Sequence, residues 1–343
     1  MVADPPSAYF LNCWYLAAWS NELEPGASMK RTLLDRQVLL MRTEKGDVAA
    51  MGNICPHRFA SLSDGRFEAG VVECPYHGLR FNMSGQCIHN PHGDGVIAER
   101  ARVPSYPLVE RYGALWIWPG KAEVADPAAI PDLSFLDAVP PSERGSAYLR
   151  PKANYQLLCD NILDLSHIDF IHRTSLGTAG ELTSAKARAR LRNDVVTVEW
   201  SFAGKGMVKE RGIRAYDEGQ FRFIVTWYPA GVMVLSIEST PVGSDVATTA
   251  RNAVHIMTPE TDRSTHYFFE GGVPERKQLV EASLKIFEEE DSAMLEQVQK
   301  NMGNRDFWAL EPLILANDSG AVLARRTLQR LIRLENGEQA EAA

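Results

Sequence analysis

The sequence predicts an α+β protein, with a small N-terminal antiparallel β domain followed by a domain whose antiparallel sheet is backed by helices. Three observations carry that expectation. Residues 12–119 read as short strand-like runs punctuated by turns. The next stretch shifts to Ala and Pro, with Pro127, Pro131, Pro140 and Pro141, and successive prolines exclude regular helix or central strand. Beyond it, five strand-like runs lie between strongly helical stretches. The division is therefore a first domain over 1–120, a linker over 121–142 and a second domain over 143–343. At 343 residues the chain is long enough for two such domains.

Composition excludes several partners. The net charge of −8 argues against nucleic acid, which requires clustered positive charge. No run approaches the ~20 apolar residues of a membrane span. The apolar opening from Tyr9 to Trp19 is interrupted by Asn12 and follows Asp4 rather than basic residues, so it does not read as a signal peptide. A cytoplasmic protein is expected.

In the first domain the strand-like runs are Val38 to Met41, Val48 to Met51, Val71 to Cys74, Leu79 to Asn82 and Leu115 to Trp118. Two polar segments interrupt them, Cys55-Pro56-His57 and, after a sixteen-residue insert, Cys74-Pro75-Tyr76-His77. Two cysteines and two histidines paired as C-x-H and C-x-x-H are the ligand set of a Rieske [2Fe–2S] centre, in which thiolates hold one iron and imidazoles the other. Neutral imidazoles lower the cluster's negative charge and raise its reduction potential. A structural zinc site is the competing reading, but zinc motifs rarely use so short a C-x-H spacing. The other three cysteines, Cys13, Cys87 and Cys159, have no framework spacing and read as reduced thiols. His89 and His92 sit in a Pro- and Gly-rich stretch and read as loop residues.

The second domain opens with another concentration of ligands, from Asp160 and Asn161 through Asp164 and His167 to His172. The apolar residues among them predict a buried helix with Asn161, Asp164 and His167 on one stripe. Five residues further on, His172 would lie ~140° round a regular helix, so both histidines can reach one metal only if the helix ends or distorts between them. Two histidines and one carboxylate form the triad that leaves positions on Fe(II) open for O₂. Asp160, Asp164, Asp169 and the distant Asp291 are candidates for the carboxylate. The segment from Glu275 to Met302 is helical in period, and by itself Glu288 to Asp291 reads as a solvated acidic face.

Between these helices, Val195 to Phe202, Gln220 to Tyr228, Val232 to Ser239, Ala247 to Met257 and Thr265 to Phe269 form the expected sheet, with a hairpin turn at Asn193-Asp194. Trp227, Met233 and Leu235 are candidates for pocket wall or core. His255 and His266 are strand histidines. A last helix over Ser319 to Leu334 sets Val322, Leu323, Leu328, Leu331 and Leu334 against Arg325, Arg326 and Arg330, and stops at Asn336-Gly337. The tail beyond it is expected to be disordered.

The paired motifs, with Arg58 and Gly78 beside them, and the segment Thr258-Pro259-Glu260 to Phe269 resemble the Rieske non-haem iron oxygenases. The similarity is greatest to vanillate-type and dicamba-type oxygenase components, and it spans Asn12 to Ile332. The resemblance implies that Asp291 is the third iron ligand beside His167 and His172. It implies that Asp164 bridges His167 to His77 of a neighbouring subunit, that Asn161 supports the iron-bound species, and that His255 contacts the substrate's acid group. It also implies a head-to-tail homotrimer acting on a small aromatic substrate. In that group, hydroxylation of a methoxy carbon gives a hemiacetal that loses formaldehyde.

One iron site built to pass single electrons and one with open positions point to reductive activation of O₂. No Gly-rich dinucleotide fingerprint follows a strand, so NAD(P)H must act indirectly through a separate reductase, with or without a ferredoxin. The expected function is therefore an aromatic O-demethylase. The alternatives are a ring or methyl hydroxylase of the same family and, in a different class, a Rieske electron carrier, which would leave His167, His172 and Asp291 unexplained.

Overall fold

The computed structural model describes residues 7–140, 143–204, 219–244, 249–271 and 277–338. They fall into two compact units, Leu11–Ile130 and the combination of Met1–Phe10 with Pro131–Ala343. The Ala- and Pro-rich stretch read as a linker is divided between them. It carries short 3₁₀ turns at Pro127–Ala129 and Ser134–Ala138, with Ile130, Leu133, Leu136 and Val139 buried.

The first unit contains β1 (Tyr15–Trp19), β2 (Ser28–Leu33), β3 (Arg36–Arg42), β4 (Val48–Gly52) and β5 (Arg66–Glu68). They are followed by β6 (Val71–Glu73), β7 (Arg80–Asn82), β8 (Cys87–His89), β9 (Ser105–Tyr106), β10 (Leu108–Arg111) and β11 (Ala114–Ile117). All pairings are antiparallel, in sheets of order β1-β11-β10, β2-β3-β4-β9 and β5-β6-β7-β8. The Val- and Leu-rich runs of the sequence correspond to β3, β4, β6, β7 and β11. Strand β1 escapes pattern reading because all five of its residues are buried, which erases the alternation of a half-buried strand. Strands β5, β8 and β9 are two or three residues long and carry no apolar run.

Cys55 and Cys74 belong to the hydrophobic core of this unit, packed with Leu39, Met41, Met51, Leu62, Val72 and Phe81. The first cysteine loop joins β4 to β5 and the second joins β6 to β7. The ladder β5-β6-β7 therefore fixes the distance between the loops, because register across a sheet cannot drift without exposing the buried face.

The second unit contains β12 (Ala147–Leu149), α1 (Tyr155–Leu163), α2 (Glu181–Ser184), β13 (Arg188–Arg192), β14 (Val195–Gly204), β15 (Gly219–Tyr228), β16 (Val232–Pro241), β17 (Thr249–Thr261) and β18 (Ser264–Gly271). Three helices follow, α3 (Lys277–Ile286), α4 (Ala293–Met302) and α5 (Ser319–Glu335). The strands form one antiparallel sheet of order β12-β18-β17-β16-β15-β14-β13. The burial of β15 alternates residue by residue, the period of a strand with one covered face. Asn193 and Asp194 take φ values of 49° and 63°, the left-handed pair of a type I′ hairpin. The expected start of β17 at Ala247, the beginning of the helical segment at Glu275, and the tail from 339 lie outside the described residues.

Direct cross-strand pairing aligns Val196, Trp227, Met233, His255 and Phe269 in a single row. Residues opposite one another in a ladder point to the same face. Leu235 lies two residues along from Met233 and shares that face. Helix α1 packs against it, and the Trp227 indole N–H hydrogen-bonds the Cys159 sulfur.

Three helical expectations are corrected. Helix α1 ends at Leu163, earlier than expected, and His167 lies in a separate 3₁₀ turn, Leu165–Asp169, which itself ends before His172, so regular helix is broken both before His167 and, as predicted, between the two histidines. The single helix expected from Glu275 to Met302 is, over its described part, interrupted between α3 and α4 by a π turn over Phe287–Ser292. On α5 the buried residues are Gly320, Ala321, Ala324, Arg325, Thr327 and Leu328, whereas Leu334 is exposed. Arg325 leaves the expected solvent face because its guanidinium pairs with Asp160 on α1, with Nη2 to Oδ2 at 2.6 Å.

Gly320 allows α5 to approach the sheet. A Cβ there would stand 2.3 Å from Val198 Cγ2, and Val198 is fully buried. Gly320→Ala is expected to lower the unfolding free energy by roughly 1–3 kcal/mol through overpacking, read as a lower midpoint in denaturant unfolding.

Candidate active site

In the first unit the two cysteine loops share one backbone form. Cys55 N–H donates to the Ala60 carbonyl (2.9 Å) and Phe59 N–H to the Cys55 carbonyl (3.0 Å). Cys74 N–H donates to the Leu79 carbonyl (2.8 Å) and Gly78 N–H to the Cys74 carbonyl (3.0 Å). The residue closing each turn is left-handed, Phe59 at φ 59° and Gly78 at φ 69°. Glycine adopts that region freely, but a bulky aromatic does not, so nothing in the sequence marks Phe59 as the counterpart of Gly78. The histidine follows its cysteine by two residues in one loop and by three in the other. That offset brings the rings of His57 and His77 to a centroid separation of 4.4 Å.

These residues fit a two-iron cluster held by thiolates on one side and imidazoles on the other. The Cys55 and Cys74 thiols hydrogen-bond each other, and burial together with Cys74 pushes the Cys55 thiol up to about 11. A buried thiol becomes a thiolate when a metal neutralises it. The Nδ1 atom of His77 is buried without a hydrogen-bond partner, a lone pair or proton left for a ligand to satisfy. His92, with no structural account in the sequence, lies with Nε2 at 2.8 Å from the His77 carbonyl and ties the 89–92 loop to the second cysteine loop. His89 ends β8, exposed.

In the second unit the chain brings His167, His172 and Asp291 together, with one donor atom from each within 4.8 Å of the others. Asp164 makes this possible. Its φ, ψ of −129°, 89° ends α1, and its Oδ1 accepts the Ser166 N–H at 3.0 Å to start the 3₁₀ turn. The tighter turn re-aims His167 toward His172, giving a ring centroid separation of 5.4 Å. Asp291 arrives from the π turn between α3 and α4, a widening that recurs at functional sites. Its Oδ2 lies 3.1 Å from His172 Nε2 and its Oδ1 lies 3.6 Å from His167 Nε2.

Both imidazoles are held by their second nitrogen. His167 Nδ1 meets the Asp164 carbonyl at 2.6 Å, and His172 Nδ1 meets Glu290 Oε2 at 2.6 Å. Each Nδ1 can donate, which leaves Nε2 as the free lone pair facing Asp291. Burial lowers His167 below the ordinary histidine range and outweighs the pull of Asp291. Burial also opposes charge on His172, but Asp291 and Glu290 prevail and raise it. Two imidazole lone pairs and a buried carboxylate form a donor set for a divalent metal.

The other carboxylates considered from sequence are engaged elsewhere. Asp160 is paired with Arg325. Asp169 accepts hydrogen bonds from Thr178 and Thr183, which overcome burial and hold it down at about 2. Glu288 and Glu289 are exposed as expected of an acidic face, whereas Asp291 is only 4% exposed. Asn161 donates from Nδ2 to Asp291 Oδ1 at 2.9 Å.

His255 stands on the same sheet face, ringed by Phe269 at 4.9 Å and by Phe287, of the Asp291 turn, at 5.8 Å. Its Nδ1 pairs with the Tyr267 hydroxyl at 2.6 Å, and its Nε2 is buried without a partner. Burial drives the imidazole down to about 4. His266 has a structural partner in Tyr148, 2.7 Å from its Nδ1. Sequence reading did not find Tyr267, Glu290 or Ser175, because a partner of a ligand carries no spacing signal.

Comparison with known proteins gives a consistent picture. Residues 13–107 match the Rieske [2Fe-2S] domain, and residues 152–334 match the vanillate O-demethylase oxygenase C-terminal domain. The chain is 34% identical over 339 residues to the oxygenase component of chloroacetanilide N-alkylformylase from Rhizorhabdus wittichii, covering 95% of this chain and 97% of that protein. It is also 34% identical to the oxygenase component of dicamba O-demethylase from Stenotrophomonas maltophilia, covering 94% and 98%. The crystal structure of dicamba monooxygenase bound to dicamba aligns with a TM-score of 0.81 at 31% identity, covering 96% of this chain and 99% of that one. No helix among the described residues is long and apolar enough to cross a membrane.

The depressed pKa of His255 has a consequence for stability. Below the unfolded value of about 6.5 the unfolded chain takes up a proton that the folded chain refuses, so this contribution to stability is complete above that pH. It falls as pH drops through the window toward about 4, by at most ~1.4 kcal/mol per pH unit. His255→Gln is expected to flatten this slope in thermal unfolding measured across that window.

Proposed function

We propose, on the premise that this chain belongs to the Rieske non-haem iron oxygenases with a vanillate O-demethylase oxygenase C-terminal domain, that it removes the methyl group of a methoxylated aromatic acid. The enzyme uses a Rieske [2Fe–2S] cluster and a mononuclear non-haem iron. The observation that carries the reading is the buried convergence of His167, His172 and Asp291 in a chain that also holds a Cys₂His₂ pair of loops.

Cys55 and Cys74 would hold one cluster iron and His57 and His77 the other, in the domain assigned to 1–120. His167, His172 and Asp291 would hold the mononuclear iron, in the domain over 143–343. When bound, the two metal groups would supply electrons one at a time and an open site for O₂; with two electrons and two protons, one oxygen atom would enter a methoxy C–H bond and the other would leave as water, and the resulting hemiacetal would release formaldehyde.

The chain's own residues position the reactants. Asn161 fixes the Asp291 carboxylate by donating to Oδ1. Tyr267, whose hydroxyl stays protonated because burial raises its pKa, can donate to His255 Nδ1 and so direct an Nε2–H outward to a substrate oxygen. The apolar rings of Phe269 and Phe287 around His255 exclude water that would compete for that hydrogen bond. Trp227, Met233 and Leu235, on the same face of the sheet, suit the wall of an aromatic pocket.

Asp164 uses Oδ1 on Ser166, and its second oxygen can accept an N–H from His77 of a neighbouring subunit, as a head-to-tail homotrimer would require. The relatives are named as oxygenase components, which supports a separate reductase, with or without a ferredoxin, that draws on NAD(P)H. A cytoplasmic location follows from that supply.

Anaerobically purified protein is expected to contain about three irons and two acid-labile sulfides per chain. His167→Ala and Asp291→Ala should each lower iron to about two with the cluster spectrum intact. Two irons in the wild type, unchanged in both variants, would instead indicate an electron carrier. With a reductase and a methoxylated aromatic acid, formaldehyde should form in step with substrate loss, and a hydroxylated product without formaldehyde would identify the hydroxylase alternative. His255→Gln should reduce kcat/KM about tenfold or more through loss of one substrate hydrogen bond.

A further inference from the structure

His172 is engaged at both ring nitrogens by carboxylates of consecutive residues. Asp291 faces Nε2 at 3.1 Å, and Glu290 faces Nδ1 at 2.6 Å. Consecutive residues on a regular helix point about 100° apart, yet here both reach one buried imidazole. The backbone between Phe287 and Ser292 is a π turn, and that local widening accompanies the arrangement.

Glu290 is itself held. Ser175 Oγ donates to the same Oε2 at 2.8 Å, and Ser175 sits in the turn closed by its own N–H on the His172 carbonyl at 3.0 Å. Serine, glutamate and histidine therefore form a short chain that returns to the backbone of the histidine it orients. The His172 ring is only 1% exposed, whereas Glu290, 29% exposed, stands between it and solvent.

The two histidines are treated differently. His167 Nδ1 meets a neutral carbonyl, whereas His172 Nδ1 meets a carboxylate. A carboxylate acceptor holds the Nδ1–H tautomer more firmly and makes the opposite nitrogen a stronger donor to a metal.

We propose that Glu290 is a positioning residue of the metal centre, accepting Nδ1–H of His172 so that Nε2 is fixed as a strong metal donor, with Ser175 holding Glu290 in place. The inference rests on the reading of His167, His172 and Asp291 as the mononuclear metal site. It assigns Glu290, which neighbours Asp291 in sequence, a role through His172 and none toward the metal itself. Glu288 and Glu289, on the same acidic run, are exposed and have no such role.

The test is titration with Co(II) of protein from which the mononuclear metal has been chelated, with the cluster intact by its absorption spectrum. The d–d bands of Co(II) report affinity and ligand geometry without any need for turnover. Glu290→Ala should weaken Co(II) binding by about 10–100-fold. Glu290→Gln keeps a neutral acceptor for Nδ1–H and should lose less than Glu290→Ala, a graded rescue that a purely space-filling role would not produce. Glu288→Gln should bind as the wild type does.

Wild-type affinity and unchanged bands in Glu290→Ala, with binding lost in His172→Ala, would overturn this inference and leave the metal site standing. Equal Co(II) binding by wild type and His172→Ala would overturn the metal site and this inference with it. If Glu290→Ala does not fold, Glu290→Gln decides: weaker binding with shifted bands supports the role, and unchanged affinity with unchanged bands overturns it.

Discussion

The second unit depends on bringing one carboxylate to two imidazoles that precede it by more than a hundred residues; the neighbouring pair His172 and Glu290 is 118 apart. A buried carboxylate is costly unless paired and hydrogen-bonded. Asp291 accepts an amide N–H from Asn161, and the Nε2 atoms of His167 and His172 face it at 3.6 and 3.1 Å, a grouping whose remaining negative charge a bound cation would balance. Each of these contacts needs a departure from regular structure. Helix α1 must stop at Asp164, the next turn must tighten, and the late helix must widen over six residues. The irregularities occur where the donors converge, and the regular helices on either side hold them there.

The sheet behind the site performs a complementary task. Its ladder places Trp227, Met233, His255 and Phe269 in one row, so a single polar side chain stands in an apolar line. Tyr267 meets the buried imidazole at Nδ1, and the other nitrogen remains without a partner. An orphaned polar atom in a native interior calls for an explanation. A substrate oxygen provides one that agrees with the neutral state imposed by burial.

The two cysteine loops of the first unit show how one backbone form can present a cysteine and a histidine at two different spacings. Each turn is closed by a left-handed residue and by the same pair of hydrogen bonds. The difference is where the histidine sits within the turn. Both cysteines are part of the core, whereas His57 is exposed and His77 half-buried, so the thiol side is the more deeply buried of the two. That polarity suits a relay that must exchange electrons with another protein.

Sequence alone determined the donor types and the class of fold. Cys55, His57, Cys74 and His77 stand out by spacing, in the C-x-H and C-x-x-H pairs expected of a Rieske cluster's ligands. The alternation along β14 and β15 is legible because one covered face imposes a period of two. The need for a break near His167 followed from helical geometry, since two donors ~140° apart cannot share one ion. Which carboxylate completes the set was not determined by the residues themselves. Asp160, Asp164, Asp169 and Asp291 are equivalent in composition, and only packing commits Asp160 to Arg325 and Asp169 to its threonines. Tertiary structure alone likewise decided the roles open to Glu290, Tyr267 and His92, whose partners are remote in sequence or are backbone atoms. The physical reason is that local sequence encodes periodicity and turn chemistry. The pairing of a buried polar atom depends on which strands and helices meet, and that is settled by the burial of the whole chain.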